Sequence, residues 1–233
     1  MFELTHLNYA TIIIDGGAIL LVWGILWQTR FMRSSGRPSD RLFFGMLLLT
    51  IVMAVADIVA YLAEYHADAL MKNVQLLSNT TYFMAITIFE MSWLDYCHFR
   101  FRDGEEIRKI GLKPEFIPGI LMIGLLFINQ TTGYFFYIDE MGIYRDGILG
   151  KVITIGLFAY FIPGVIDIAK YRTADKKLLI PVWIYIMPVV VAAVSCVLDD
   201  ISMVTMGFAV TIAFTHLGTM SEIAEYNSKE SVL

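Results

Sequence analysis

The chain has 233 residues, of which 58% are apolar, 14% aromatic and only 17% charged, and its mean hydropathy is +0.66. Soluble domains are typically about 45–50% apolar and about 25% charged, so most of this chain is expected in lipid. The net charge of -5 gives no basic footprint for nucleic acid, and the composition excludes a disordered chain, a disulfide-stapled secreted module and an anchor joined to a large soluble enzyme.

Seven apolar stretches follow in chain order, roughly 9–30, 42–64, 74–97, 115–132, 148–168, 179–198 and 200–220. Each is near the length of about 20 residues that a span needs, and seven spans leave about 90 residues for loops and ends. Asp199-Asp200 separates the last two spans and marks a tight turn at the surface. The N-terminus MFELTHLNYA has no basic n-region and no cleavage site follows the apolar run, so span 1 is not read as a signal peptide.

Basic residues orient the set. Arg30, Arg33, Arg37 and Arg41 lie between spans 1 and 2. Arg100, Arg102, Arg108, Lys109 and Lys113 lie between spans 3 and 4, and Lys170, Arg172, Lys176 and Lys177 between spans 5 and 6. The other side carries only Lys72, Arg145 and Lys151. By the positive-inside rule the N-terminus is outside and the C-terminus cytoplasmic. The fold class expected is therefore an all-α integral membrane protein, a seven-transmembrane helix bundle in a lipid bilayer. Cys97 and Cys196 fall in opposite leaflets, which excludes a disulfide between them, and both read as packing residues.

The segment 133–147, GYFFYIDEMGIYRDG, alternates aromatic and polar residues around Asp139-Glu140-Met141-Gly142. It predicts a short extracellular β-hairpin between spans 4 and 5, with strands around Phe135, Tyr137 and Ile143. Two readings stand side by side: an aromatic anchor at the headgroups, and a lid formed by Tyr134, Tyr137, Asp139, Tyr144 and Arg145.

Polar groups inside spans are costly and mark function by default. At about 1.5 Å per residue, an outer set comprises Asp15 in span 1, Asp57 and Glu64 in span 2, Asn79 in span 3, Asn129 in span 4, and Ser195 and Asp199 in span 6. If their faces converge, they line a ligand cavity below the hairpin; singly, Asn, Ser and Thr also serve as plain interhelical hydrogen-bonding groups. An inner set comprises Glu90, Asp95 and His98 of span 3, Asp167 and His216. Glu90, with Trp93 one turn below it, is expected to pair with His216 and tie spans 3 and 7, as a structural bond or as a switch. Pro163 and Pro188 interrupt spans 5 and 6 and make them the expected movable elements.

Several activities are excluded. The last span has no Lys for a retinal Schiff base. His6 and His66 lie outside and His98 and His216 inside, so a three-His zinc site cannot form. No phosphate loop, Cys-x-x-Cys or His-Glu-x-x-His motif occurs. No enzyme, metal or cofactor is expected from this chain.

The outer stretch FFYIDEMGIYRDGILGKV (135–152) and the span 3 stretch LLSNTTYFMAITIFEMSWLDYC (76–97) together resemble the N-terminal seven-transmembrane sensor module of bacterial membrane diguanylate cyclases (GGDEF proteins) and related histidine kinases. The family often has a His-Arg-Gly-Pro-like run after the loop Tyr; here Tyr144-Arg145-Asp146-Gly147-Ile148 lacks the Pro. The resemblance implies a sensor domain over 1–220, a cytoplasmic signalling helix beginning at 221–233, and an output domain beyond residue 233. It also implies an inner-membrane location, a small-molecule or lipid ligand taken from outside or from the outer leaflet, and a homodimer. The alternative is a small transporter or proton or cation channel that uses Asp15, Asp57 and Glu90.

Overall fold

The computed structural model describes residues 6–29, 38–101, 114–150, 190 and 203–230. These residues are mostly helical. Helix α1 runs over His6–Thr29, α2 over Pro38–Ala63, α3 over Ala69–Phe101, α4 over Ile117–Thr132 and α5 over Val204–Glu230. A hairpin of β1 (Phe136–Ile138) and β2 (Tyr144–Asp146) follows α4. The expected spans 5 and 6, with Pro163, Pro188, Ser195 and Asp199, lie outside the described residues.

Local chemistry sets the helix ends. Pro38 opens α2, where its missing N–H is no loss. After Ala63, Tyr65 adopts a left-handed backbone (φ 63°) and stops the helix. Asp68 then accepts the Met71 N–H at 3.0 Å, the bond by which an N-cap side chain starts a helix. Helix α4 ends at Gly133, also left-handed (φ 64°), whose N–H returns to the Asn129 carbonyl at 2.9 Å.

Two helical segments, Asn8–Thr29 and Asp40–Ala63, are long and apolar enough to cross a membrane, which points to a membrane location. Their surface chemistry agrees. Trp23 and Trp27 are 61% and 63% exposed, and Ile13 and Leu20 more so. Large apolar groups directed outward along one helix suit lipid rather than water.

Within the described residues α4 packs on α3, α3 on α2, and α2 on α1, while α5 packs on α1 and α2. The core between them contains Ala18, Val22, Met46, Leu47, Phe89 and Phe208. Phe89 of α3 and Phe208 of α5 meet with ring centroids 4.4 Å apart, which binds the last helix to the third. The Thr hydroxyls of the helices are mostly satisfied one turn back: Thr50 donates to the Met46 carbonyl, Thr80 to Leu76, Thr87 to Phe83 and Thr215 to Thr211. Such bonds satisfy the hydroxyl donor within its own helix. Helix α5 continues to Glu230, beyond the end of its apolar stretch at 220, and α3 extends past both ends of the expected 74–97.

Candidate functional site

Residues three and four apart share a helix face. On α1 these are Asn8, Thr11 and Asp15; on α2 they are Asp57, Tyr61 and Glu64. The helices are antiparallel neighbours, and the two sets meet rung by rung. Asn8 Nδ2 donates to Glu64 Oε2 at 2.8 Å. The Thr11 and Tyr61 hydroxyls are hydrogen-bonded. Asp15 faces Asp57. Each step inward by three and then four residues on α1 is matched by three and then four on α2. The result is a polar seam about 10 Å deep that starts at the hairpin end of the bundle.

The innermost rung is dry. Asp15 is 0% exposed, and neither of its carboxylate oxygens completes a hydrogen bond. Thr205, in the first turn of α5, interacts with Asp15 and is equally buried. Three helices therefore bring polar oxygen atoms to one place.

The hairpin covers the outermost rung. Phe136 pairs with Asp146, Tyr137 with Arg145 and Ile138 with Tyr144, so the strands lie one residue further along than expected. The Tyr144 N–H donates to the Glu64 carboxylate, and the Tyr144 ring stacks on Phe136 at 5.6 Å. Burial pushes the Tyr144 hydroxyl above its ordinary pKa, keeping it a neutral donor to Asp146 at 3.2 Å.

Fastenings hold the hairpin at both ends. At its base, Asn129 Oδ1 accepts the Phe135 N–H at 2.8 Å while Nδ2 donates to the Phe136 carbonyl at 2.9 Å. At its tip, the Tyr65 N–H donates to the Gly142 carbonyl at 3.0 Å, and Lys72 Nζ to the Glu140 carbonyl at 2.8 Å. The turn is built on Asp139, whose Oδ1 accepts the Met141 and Ile143 N–H groups at 2.9 and 3.0 Å and whose Oδ2 pairs with Arg145 Nε at 3.1 Å. The Ile143 N–H chiefly, with Arg145 and Met141, holds the Asp139 carboxyl below its ordinary pKa.

The residues singled out in the sequence thus fall into distinct places. Asp15 and Asp57 come together. Asn129 faces the hairpin backbone, with both ends of its amide engaged there. Asp139 and Arg145 form the turn, Tyr134 and Tyr137 are exposed, and Tyr144 lies against the seam. Asn79 donates to the Gln75 carbonyl of its own helix at 2.9 Å. The expected Glu90–His216 tie does not form. His216 Nε2 lies 3.1 Å from Gln28 Oε1 of α1, and its ring stacks on Phe43 of α2. Glu90 is buried, and neither of its oxygens has a hydrogen-bond partner. Trp93 is buried beside it in sequence.

Asn8, Thr11, Tyr61 and Thr205 escape a sequence reading based on charge alone. The matching three-and-four spacings on α1 and α2 are the signal that would find the first three, once the two helices are known to pair. Among the described residues, no group of three or more His, Cys, Asp or Glu side chains is placed to hold a metal ion. Comparison of the chain with protein families, curated proteins and solved structures finds no match.

Proposed function

We propose that this chain is a seven-helix membrane sensor module with its N-terminus and hairpin outside the cell. It binds a small molecule or lipid at the polar set below the hairpin and relays binding to a cytoplasmic output domain, such as a diguanylate cyclase, beyond residue 233. The seven apolar stretches and the basic loops support the span count and orientation, and the stretches at 76–97 and 135–152 support the family.

One observation carries the relay. Helix α5 runs unbroken from Thr205, beside Asp15, to Glu230. That distance is about 40 Å at 1.5 Å per residue, more than a bilayer's hydrocarbon core. A ligand that draws on Thr205 acts on one end of a rod whose other end lies in the cytoplasm.

The test is a thermal-shift screen of metabolites and lipids on the purified chain, combined with spin-label distances between position 68 and position 227. The expected result is a compound that raises the melting temperature and changes the distance, with both effects lost in Asp57→Asn. Screens that give no shift dependent on Asp15 or Asp57 overturn the reading. A proton or cation path is the second reading, favoured by the buried Glu90 carboxyl with its unbonded oxygens; proton flux into proteoliposomes that Glu90→Gln abolishes would establish it.

A further inference from the structure

We propose that His216, bonded to Gln28 and stacked on Phe43, is the latch that holds α5 in its resting register, and that the sensor signals when α5 leaves it. The latch rests on the sensor reading for what its release reports.

The argument begins with how α5 lies on α1. Thr205 meets Asp15, Met206 lies over Gly17 and His216 meets Gln28. The residue numbers rise together on both helices, so the two run parallel in one register over about 17 Å of α5.

The contacts along this register differ in kind. In the outer half, a Cβ added at Gly17 would stand 3.2 Å from the terminal methyl of Met206. A bare backbone there faces an unbranched, adaptable thioether, a surface along which a helix can slide. Phe208 and Phe89 touch as tilted rings with centroids 4.4 Å apart, a contact with no hydrogen-bond direction.

The inner contact is directional. His216 Nε2 lies 3.1 Å from Gln28 Oε1, and with the proton on Nε2 the imidazole is the donor. The ring is 4% exposed and stacks on Phe43 of α2, with centroids 6.1 Å apart and planes at 20°. Phe43 in turn lies against Tyr96 of α3 at 6.3 Å. One side chain of α5 is thus held to a frame of three helices. A hydrogen bond demands both distance and angle, so the register of α5 is set at His216. An axial shift begun at Thr205 draws the imidazole off Phe43, which stays with α2 and α3, and off the Gln28 amide. The hold is also of a size that a ligand can overcome. Interhelical hydrogen bonds inside membranes are weak, worth about 3- to 16-fold in an equilibrium, and coupling between two sites typically supplies about 5- to 150-fold.

The experiment places spin labels at positions 68 and 227 of the full chain in nanodiscs and measures the distance distribution with no compound added. Gln28→Leu and His216→Phe are expected to raise the population of a second, defined distance about 3- to 16-fold over wild type. Gln28→Glu, which keeps the acceptor, is expected to match wild type. Gln28 is exposed, so leucine is tolerated there; if His216→Phe fails to fold, the two Gln28 variants decide. A wild-type distribution in Gln28→Leu overturns the latch. So does a diffuse spread with a lowered melting temperature, which is what loosened packing gives, or a second distance that Gln28→Glu shows equally. A second distance in Gln28→Leu, with no screened metabolite or lipid moving the wild-type pair, keeps the latch and removes the sensor reading. A compound that moves the wild-type pair, while Gln28→Leu without it stays at the resting distance, has the reverse meaning.

Discussion

Asn129→Ala should release the hairpin while leaving the helices intact. The Asn129 side chain is 1% exposed, and its amide engages two backbone groups of the hairpin at 2.8 and 2.9 Å. Removing it deprives the buried Phe135 N–H and the Phe136 carbonyl of these partners. An unsatisfied buried polar group costs about 1–3 kcal/mol, so two groups, partly relieved by water, cost about 2–4 kcal/mol. At 1.4 kcal/mol per factor of ten, the open hairpin becomes roughly 30- to 700-fold more populated. Hydrogen–deuterium exchange reads this directly: protection in residues 133–147 should fall by that factor, while peptides from α1 and α2 stay unchanged, because opening is local. Asn129→Asp keeps the acceptor for Phe135 but turns the donor into an oxygen facing the Phe136 carbonyl, so it should behave nearly as badly at neutral pH and recover in acid. Wild-type protection of the hairpin in Asn129→Ala would refute the reasoning, since the two fastenings at the tip would then suffice.

Gly142 has φ 78°, and an added Cβ would overlap the His66 backbone; Gly142→Ala should cost about 1–3 kcal/mol in backbone strain alone and free the tip, seen as faster exchange at 139–143 with the base at 133–136 still protected. The Asp139 carboxyl has a depressed pKa, so its support of the turn is present above the ordinary Asp value near 3.9 and is lost as pH falls through the lower folded value. Tip protection, corrected for intrinsic exchange, should be flat from pH 8 to about 5, fall only in stronger acid, and show no acid step in Asp139→Asn. The His216–Gln28 contact joins α5 to α1, and a double-mutant cycle with His216→Phe and Gln28→Leu should give a coupling of about 0.5–1.5 kcal/mol; a coupling near zero would remove His216 from the α1–α5 interface.

Depth along the chain is legible in this sequence, and azimuth is not. Long apolar runs located α1 and α2 to within a few residues, because lipid demands both length and internal hydrogen bonding. The aromatic–polar alternation around a Gly-containing turn located the hairpin. Glu90 and His216 are expected to pair because the span reading puts both in the inner half, yet His216 faces α1 and α2 through Gln28 and Phe43. Asn129 sits at the depth of a ligand group, but it is one turn from the Gly133 reversal, so its short side chain reaches the returning backbone first. Asp15 and Asp57 could be found by charge alone. Their rungs with Thr11, Tyr61, Asn8 and Glu64 depend on which helices pair and in what register, which no single stretch encodes.

The fastenings of the hairpin decide where motion is available in the proposed sensor. Asn129 at its base, and Tyr65 and Lys72 at its tip, tie it to α4, to the α2–α3 turn and to α3. The Tyr144 bond to Glu64 ties it to the end of α2 as well. A lid that swings as a body would break all of these at once, at a cost of several kcal/mol at about 1 kcal/mol per bond. The seam rungs between α1 and α2 are likewise closed by direct bonds down to Thr11 and Tyr61. Thr205 reaches the seam at Asp15 from a third helix, α5. Binding that recruits its hydroxyl changes the contacts of α5 while leaving those of the hairpin as they are, and a continuous helix passes an axial shift at Thr205 to its far end. The proposed sensor therefore works beneath a fixed cap, with α5 as its moving part.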